Sequence, residues 1–288
     1  MKIRSILFPV DFSPRSIALV PHVEAAARRF GAGVTILHLV EPVVLPYGPV
    51  ETMAFPGLQW SSMKAKAEEM MDAFAETAFG DLRVRRVVET GDPALCIASL
   101  AHDWGIGLIM MATRGRGAFR AALLGSTAAK VLHDAGCPVW TATHPEEVPE
   151  GPEPHIEWRN IVCAVGLTPG PCLLRTCEDL HNTIGAAIHL VHVTPGEEAF
   201  PQRLMDAEFE ESLRQAAGDS IRKFQCAAGT NFEVGIESGD VAREIARYAH
   251  AVNADLILAG RGSERARGGL HGRTYGIIRE APCPVLSI

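Results

Sequence analysis

Apolar and polar positions divide the chain into two alternating kinds of segment. Short apolar runs predict strands at 5–10, 34–40, 83–88, 108–112 and 138–142 in the first half. The first, second and fourth runs are rich in Ile, Leu, Val and Met, as in strands covered on both faces of a parallel sheet. Longer segments with a helical period predict helices at 14–30, 61–79, 93–103 and 126–134. Along the first of these, Ile17, Val20, Val23, Ala27 and Phe30 form one apolar stripe. Ser13 can cap it, with Pro14 at the first helical position; Asp92 and Pro93 repeat that signal at the third helix. Strands alternating with helices in this way build a doubly wound parallel sheet.

The whole pattern then recurs. Ile6-Leu7-Phe8-Pro9-Val10 matches Ile161-Val162-Cys163-Ala164-Val165, and Leu37-His38-Leu39 matches Val191-His192-Val193. Thr90-Gly91-Asp92, Leu108-Ile109-Met110 and Cys137-Pro138-Val139 return as Ser238-Gly239-Asp240, Leu256-Ile257-Leu258 and Cys283-Pro284-Val285. The order is kept, and the period is too long for a solenoid. The chain therefore reads as one α/β domain duplicated in tandem: 1–144, a linker at 145–155, and 156–288. The linker is rich in Pro and Glu and has no apolar period. In the second half the second helix lengthens to about 201–228.

Composition narrows the classes of function. The 288 residues are 47% hydrophobic and 21% charged, enough to bury a core in each half. No apolar stretch approaches the ~18–20 residues of a membrane span, and 1–10 reads as a strand with no cleavage signal, so a cytoplasmic location without membrane is expected. The net charge of −7 argues against nucleic-acid binding. It is uneven: +1 over 1–144 and −8 over 145–288. Seven cysteines without a Cys-x-x-Cys pair read as buried, reduced thiols.

Chemistry is sought at the carboxyl ends of the strands, where such sheets bind ligands. After the fourth strand come Thr113-Arg114-Gly115-Arg116-Gly117 and then Gly125-Ser126-Thr127, which opens a helix. The glycines admit close backbone approach, the helix start offers amides, and Arg114, Arg116 and Arg120 add positive potential. The pattern is either a phosphate-binding loop or a glycine-rich turn with a serine cap. It is neither a P-loop nor the dinucleotide fingerprint, because Arg120 stands at the third glycine position. Asp11 ends the first strand and either accepts hydrogen bonds from a base or ribose or caps the first helix. His38 lies within a strand and reads as structural. The segment 43–60, with Tyr47, Phe55 and Trp60 among four nearby prolines, is a lid, a contact surface or a packed loop. No hydrolytic triad, H-E-x-x-H or metal-ligand set is recognisable.

Phe8-Pro9-Val10-Asp11-Phe12-Ser13, the nine-residue spacing between Gly115 and Gly125-Ser126, and Cys137-Pro138-Val139 together resemble the universal stress protein family, over nearly the whole chain. The first glycine of the family's G-x-x-G is Ala112 here. The resemblance implies two Rossmann-like domains, similar to adenine nucleotide alpha hydrolases, each with a five-stranded parallel sheet. It implies an adenine-nucleotide site in the first half, for ATP or AMP/ADP, with Mg²⁺ held mainly by phosphates and water. Asp11 and the backbone of Leu39 would hold adenine and ribose; Pro9, Val10, Met111 and Ala112 would line the pocket. Gly115, Gly125, Ser126 and Thr127 would hold phosphates, assisted by Arg114 and Arg116. In the second half Gly166 replaces Asp11 and Arg273 replaces Ser126, which reads as a degenerate site. Arg261, Arg265, Arg267 and Arg273 there are either an anion site or a solvated loop. Family pairing through the last strand implies an intramolecular pseudo-dimer, with a homodimer open. The implied role is stress-response regulation with slow or no ATP hydrolysis; the alternative is an interaction module of the same fold that binds no nucleotide.

Overall fold

The computed structural model describes residues 3–41, 56–79, 82–113, 124–142, 158–167, 171–196, 207–261 and 272–288, with backbone alone at 56–60, 171 and 207. The first half runs β1 Ser5–Pro9, α1 Pro14–Ala18, α2 Val20–Phe30, β2 Gly33–Val40, α3 Pro56–Ala78, β3 Val84–Thr90, α4 Pro93–Asp103, β4 Leu108–Ala112, α5 Ser126–Asp134 and β5 Val139–Ala142. The second runs β6 Asn160–Ala164, α6 Pro171–Ile184, β7 Ala187–Thr194, α7 Ala207–Ala228, β8 Glu233–Ser238, α8 Val241–Ala251, β9 Leu256–Ala259, α9 Arg273–Glu280 and β10 Val285–Ser287.

The ten strands among the described residues form one sheet in the order β3-β2-β1-β4-β5-β10-β9-β6-β7-β8. Within each half every pairing is parallel; β5 and β10 pair antiparallel, with Trp140 opposite Leu286. Each face of the sheet is covered by an apolar layer that continues through both halves. That explains the unalternated strands: Ile6, Leu7, Phe8, Leu108, Ile109 and Met110 are all fully buried.

One predicted helix is two. The segment 14–30 breaks at Leu19 into α1 and α2. Pro21 has no amide to donate to Ile17, and its ring crowds that carbonyl. The break also turns the apolar stripe: Leu19 is fully buried, whereas Ile17, placed on the stripe by periodicity, is 47% exposed. Residues 56–60, read from sequence as part of an irregular insertion, open α3; the rest of that insertion and the linker 145–155 lie outside the described residues. The thiols also differ from expectation: all seven are free, but Cys172 and Cys226 are exposed. Burial pushes the Cys283 thiol up to about 12, and at that value it stays protonated and unreactive at neutral pH.

The duplicated Gly-Asp turns show why the repeat is retained in detail. Gly91 and Gly239 have φ of +154° and +133°, a region closed to side chains, and a Cβ on Gly91 would meet the Cys96 sulfur at 2.6 Å. The aspartates that follow cap the next helices: Asp92 accepts from the Leu95 amide and Asp240 from the Arg243 amide, each at 3.0 Å.

Candidate functional site

In the first half the chain moves from β1 outward to β2 and β3, then returns past β1 to β4 and β5. The order reverses between β1 and β4, so the carboxyl ends of these two strands flank a crevice. Pro9, Val10 and Asp11 lie at the end of β1, and Met111 and Ala112 at the end of β4. Val10 and Met111 are buried at 5% and 6% exposure, an apolar wall on each side. Helix α5 is tied to this edge by the Gly125 amide, which donates to the Thr113 carbonyl at 2.8 Å. Thr113 is itself fixed to β5, its hydroxyl donating to Ala142 at 3.1 Å.

Gly125 caps α5 in an extended conformation, and no side chain closes the helix start. The amides of Ser126 and Thr127 therefore point out of the helix with its positive end. Ser126 is exposed and Thr127 half-buried. Arg114, Gly115 and Arg116, the remaining sequence-predicted phosphate residues, lie outside the described residues.

Asp11 has a second task. One of its carboxylate oxygens accepts from the Ser13 amide at 3.0 Å and from the Ser16 hydroxyl at 2.7 Å. Ser13 in turn accepts from the Ser16 amide at 3.3 Å. The carboxylate is thus held by the first turn of α1 while remaining half-buried at the crevice. Periodicity gave no sign of Ser16, which is 3% exposed and completes this arrangement. Phe12 was missed as well. It sits at φ +57°, rare for an aromatic residue, with its ring 4.5 Å from His38 and 5.7 Å from Phe74. Such a strained residue beside a crevice is a recurrent feature of ligand sites.

His38 shapes the backbone there. Val10 donates its amide to Leu37 at 2.8 Å, as a parallel ladder requires. The next rung would take the Leu39 amide to the Val10 carbonyl. Instead the Nδ1 of the His38 ring meets that carbonyl at 2.8 Å. Leu39, two positions after Leu37, then faces its backbone toward the crevice side of β2.

In the second half the same frame carries different side chains. His192 Nδ1 meets the Val165 carbonyl at 2.8 Å, and Val165 donates to Val191 at 2.9 Å. Gly166 stands where Asp11 does. Gly272 caps α9 without a side chain, but Thr274, the counterpart of Thr127, is buried and donates to Gly260 at 3.1 Å. Arg261, read from sequence as one of a possible anion-binding set, directs its guanidinium to carbonyls of the first half: Leu132, Ala135 and Cys137, at 3.1, 2.7 and 2.5 Å. Arg265 and Arg267 lie outside the described residues. Among the described residues no group of three His, Cys, Asp or Glu is placed to hold a metal, and no helix is long and apolar enough to cross a membrane.

The comparisons with known proteins fit this duplicated frame. A universal stress protein of Thermus aquaticus is 30% identical over 138 residues, 47% of this chain and 96% of that one. A universal stress protein of Mycolicibacterium smegmatis is 29% identical over 136 residues; the match spans 46% of this chain and 44% of that longer protein. Among solved structures, a universal stress protein from Archaeoglobus fulgidus covers 100% of this chain and 98% of its own, at 22% identity and a TM-score of 0.72, a likeness of fold. The sequence model of the universal stress protein family matches residues 2–142 and again 157–288. The chain belongs to the universal stress protein family, with two of its domains in tandem.

Proposed function

We propose that the first half is an adenine-nucleotide site and that the protein is a regulator of stress responses, with slow or no hydrolysis. The ligand is ATP, or AMP/ADP, accompanied by Mg²⁺. The observation that carries this reading is the β1–β4 reversal: Asp11 ends one strand, and the uncapped start of α5 is bonded to the end of the other. Asp11 accepts from the adenine amino group or a ribose hydroxyl, and the Leu39 backbone contacts the base. Pro9, Val10, Met111 and Ala112 form apolar walls. The amides of Ser126 and Thr127, with Gly125, take phosphate oxygens, joined by Gly115, Arg114 and Arg116. Nucleotide then acts by shifting the population toward the conformation that binds it better.

The second half, lacking the carboxylate and with Thr274 turned inward, acts as the non-binding module of the alternative reading. The domain limits 1–144 and 156–288, with 145–155 between them, follow from the duplication. The antiparallel β5–β10 pairing supports reading the two halves as an intramolecular pseudo-dimer.

The test is a calorimetric titration of nucleotide-stripped protein with ATP and Mg²⁺. One ATP per chain is expected. Two per chain would make the second half an active site. No heat at millimolar ATP would replace this reading with the interaction module.

A further inference from the structure

Helix α5 is held at its far end by the other half of the chain. Tyr275 of α9 donates its hydroxyl to the Ala129 carbonyl at 2.8 Å. Arg261 donates to Leu132 in the last turn of α5 and to Ala135 and Cys137 just beyond it, closing carbonyls at and after the helix end. The Arg261 backbone is fixed too, its amide donating to Ile288 at 2.7 Å beyond the β9–β10 ladder. Among the described residues the matching positions of the first half make no such bonds. Thr113, the counterpart of Arg261, spends its hydroxyl on Ala142, and the counterpart of Tyr275 is the apolar Ala128.

These donors converge on one line of peptide groups. In an α-helix each amide donates to the carbonyl four residues back, and each carbonyl shares a peptide group with the next amide. The Leu132 carbonyl shares its peptide with the His133 amide, which donates to Ala129. The Ala129 carbonyl shares its peptide with the Lys130 amide, which donates to Ser126. The Ser126 carbonyl shares its peptide with the Thr127 amide, which has no acceptor within the helix. Arg261 and Tyr275 therefore both feed the chain of hydrogen bonds that ends on Thr127. Donors at one end of such a chain polarise the amide at the other, and a cation at the carbonyl end of a helix complements its dipole.

We propose that Arg261 and Tyr275 are positioning residues for the first-half nucleotide site. The second half, whose own site is degenerate, fixes α5 and sharpens the positive character of its N-terminus toward phosphate. This rests on the nucleotide reading above.

The test uses the full chain with Arg261→Gln, Arg261→Lys and Tyr275→Phe, titrated with ATP and separately with adenosine, which has no phosphate. Arg261→Gln is expected to weaken ATP about fivefold, with part of the loss recovered in Arg261→Lys. Tyr275→Phe, the mildest change, is expected to weaken it about twofold. Adenosine affinity should be unchanged in all three. Wild-type ATP affinity in both Arg261→Gln and Tyr275→Phe overturns the proposal. Equal losses for ATP and adenosine overturn it as well, since loosening of the fold would lower both. A wild-type chain that binds neither compound refutes the nucleotide reading itself, and this proposal with it.

Discussion

The two crevices share a backbone and differ in what hangs from it. In each, a histidine ring meets the carbonyl just beyond the central strand at 2.8 Å, and a glycine opens the helix after the adjacent strand, α5 after β4 and α9 after β9, without a side-chain cap. Around that common frame the first half sets Asp11, bound to Ser13 and Ser16, and Phe12 against His38. The second sets Gly166 and the exposed Leu167. Both halves keep the histidine and the glycine; only the first carries the carboxylate. A duplicated domain can therefore change the side chains at its crevice without losing its fold. Arg261 and Tyr275 of the second half instead bond to carbonyls of the first.

The largest effect should come from importing the second half's residue into the first. Asp11→Gly removes a charged acceptor and should cost about 1.5–3 kcal/mol of nucleotide binding, tenfold or more in affinity. Calorimetry checks it, and undiminished binding would remove Asp11 from the site. Next are the two histidines. His38→Phe and His192→Phe each strip a buried carbonyl of its donor and should each destabilise by about 1–3 kcal/mol in urea unfolding. A large cost at only one of them would show that the frame is not shared.

A smaller effect separates the helices on the other face. Helix α2 carries His22 where α6 carries Thr176, each nine residues before its closing glycine. Burial lowers the His22 pKa below the ordinary 6.5, and its ring lies 5.4 Å from Trp140 beside the β5–β10 seam. Above 6.5 the imidazole is neutral folded or unfolded and pH does nothing. As pH falls through 6.5 the unfolded chain takes up a proton that the folded chain refuses, so stability drops. His22→Thr should flatten that acid limb, by no more than about 1.4 kcal/mol per pH unit. The smallest expected change is none: Gly166→Asp should leave one ATP per chain in a stoichiometric titration, because Thr274 still faces Gly260. A second bound nucleotide would show that the carboxylate alone divides the two crevices.

Much of this was legible in the residues. Strands covered on both faces have no alternation to confuse, so 108–112 was read to its limits. The Asp-Pro start of α4 was as plain. The repeated short segments gave the duplication before any coordinate. What escaped reading depends on geometry that sequence does not carry. Pro21 breaks a helix whose apolar stripe seemed continuous on a wheel. Phe12 takes a left-handed conformation that nothing in an aromatic residue announces. Asp11 was open between cap and ligand; Ser13 is the cap of α1, and Asp11 holds that turn from outside through Ser13 and Ser16. Arg261 reads as one arginine among several in a loop, since its partners lie over 120 residues away.

The antiparallel seam also sets a schedule for folding. Inside the first half the longest wait is that of β1 for β4, whose Leu108 pairs with Ile6 after 102 residues. β5 must wait for a partner whose Val285 lies 144 residues beyond Thr141. At about 5–20 residues per second of synthesis, that is roughly seven to thirty seconds. Throughout that interval β5 is an open sheet edge that includes Trp140, and such an edge pairs with any strand of suitable register. The first β10 to arrive can belong to the same chain or to its neighbour on the polysome. Strand exchange between nascent copies is therefore a misfolding route that this duplicated architecture opens.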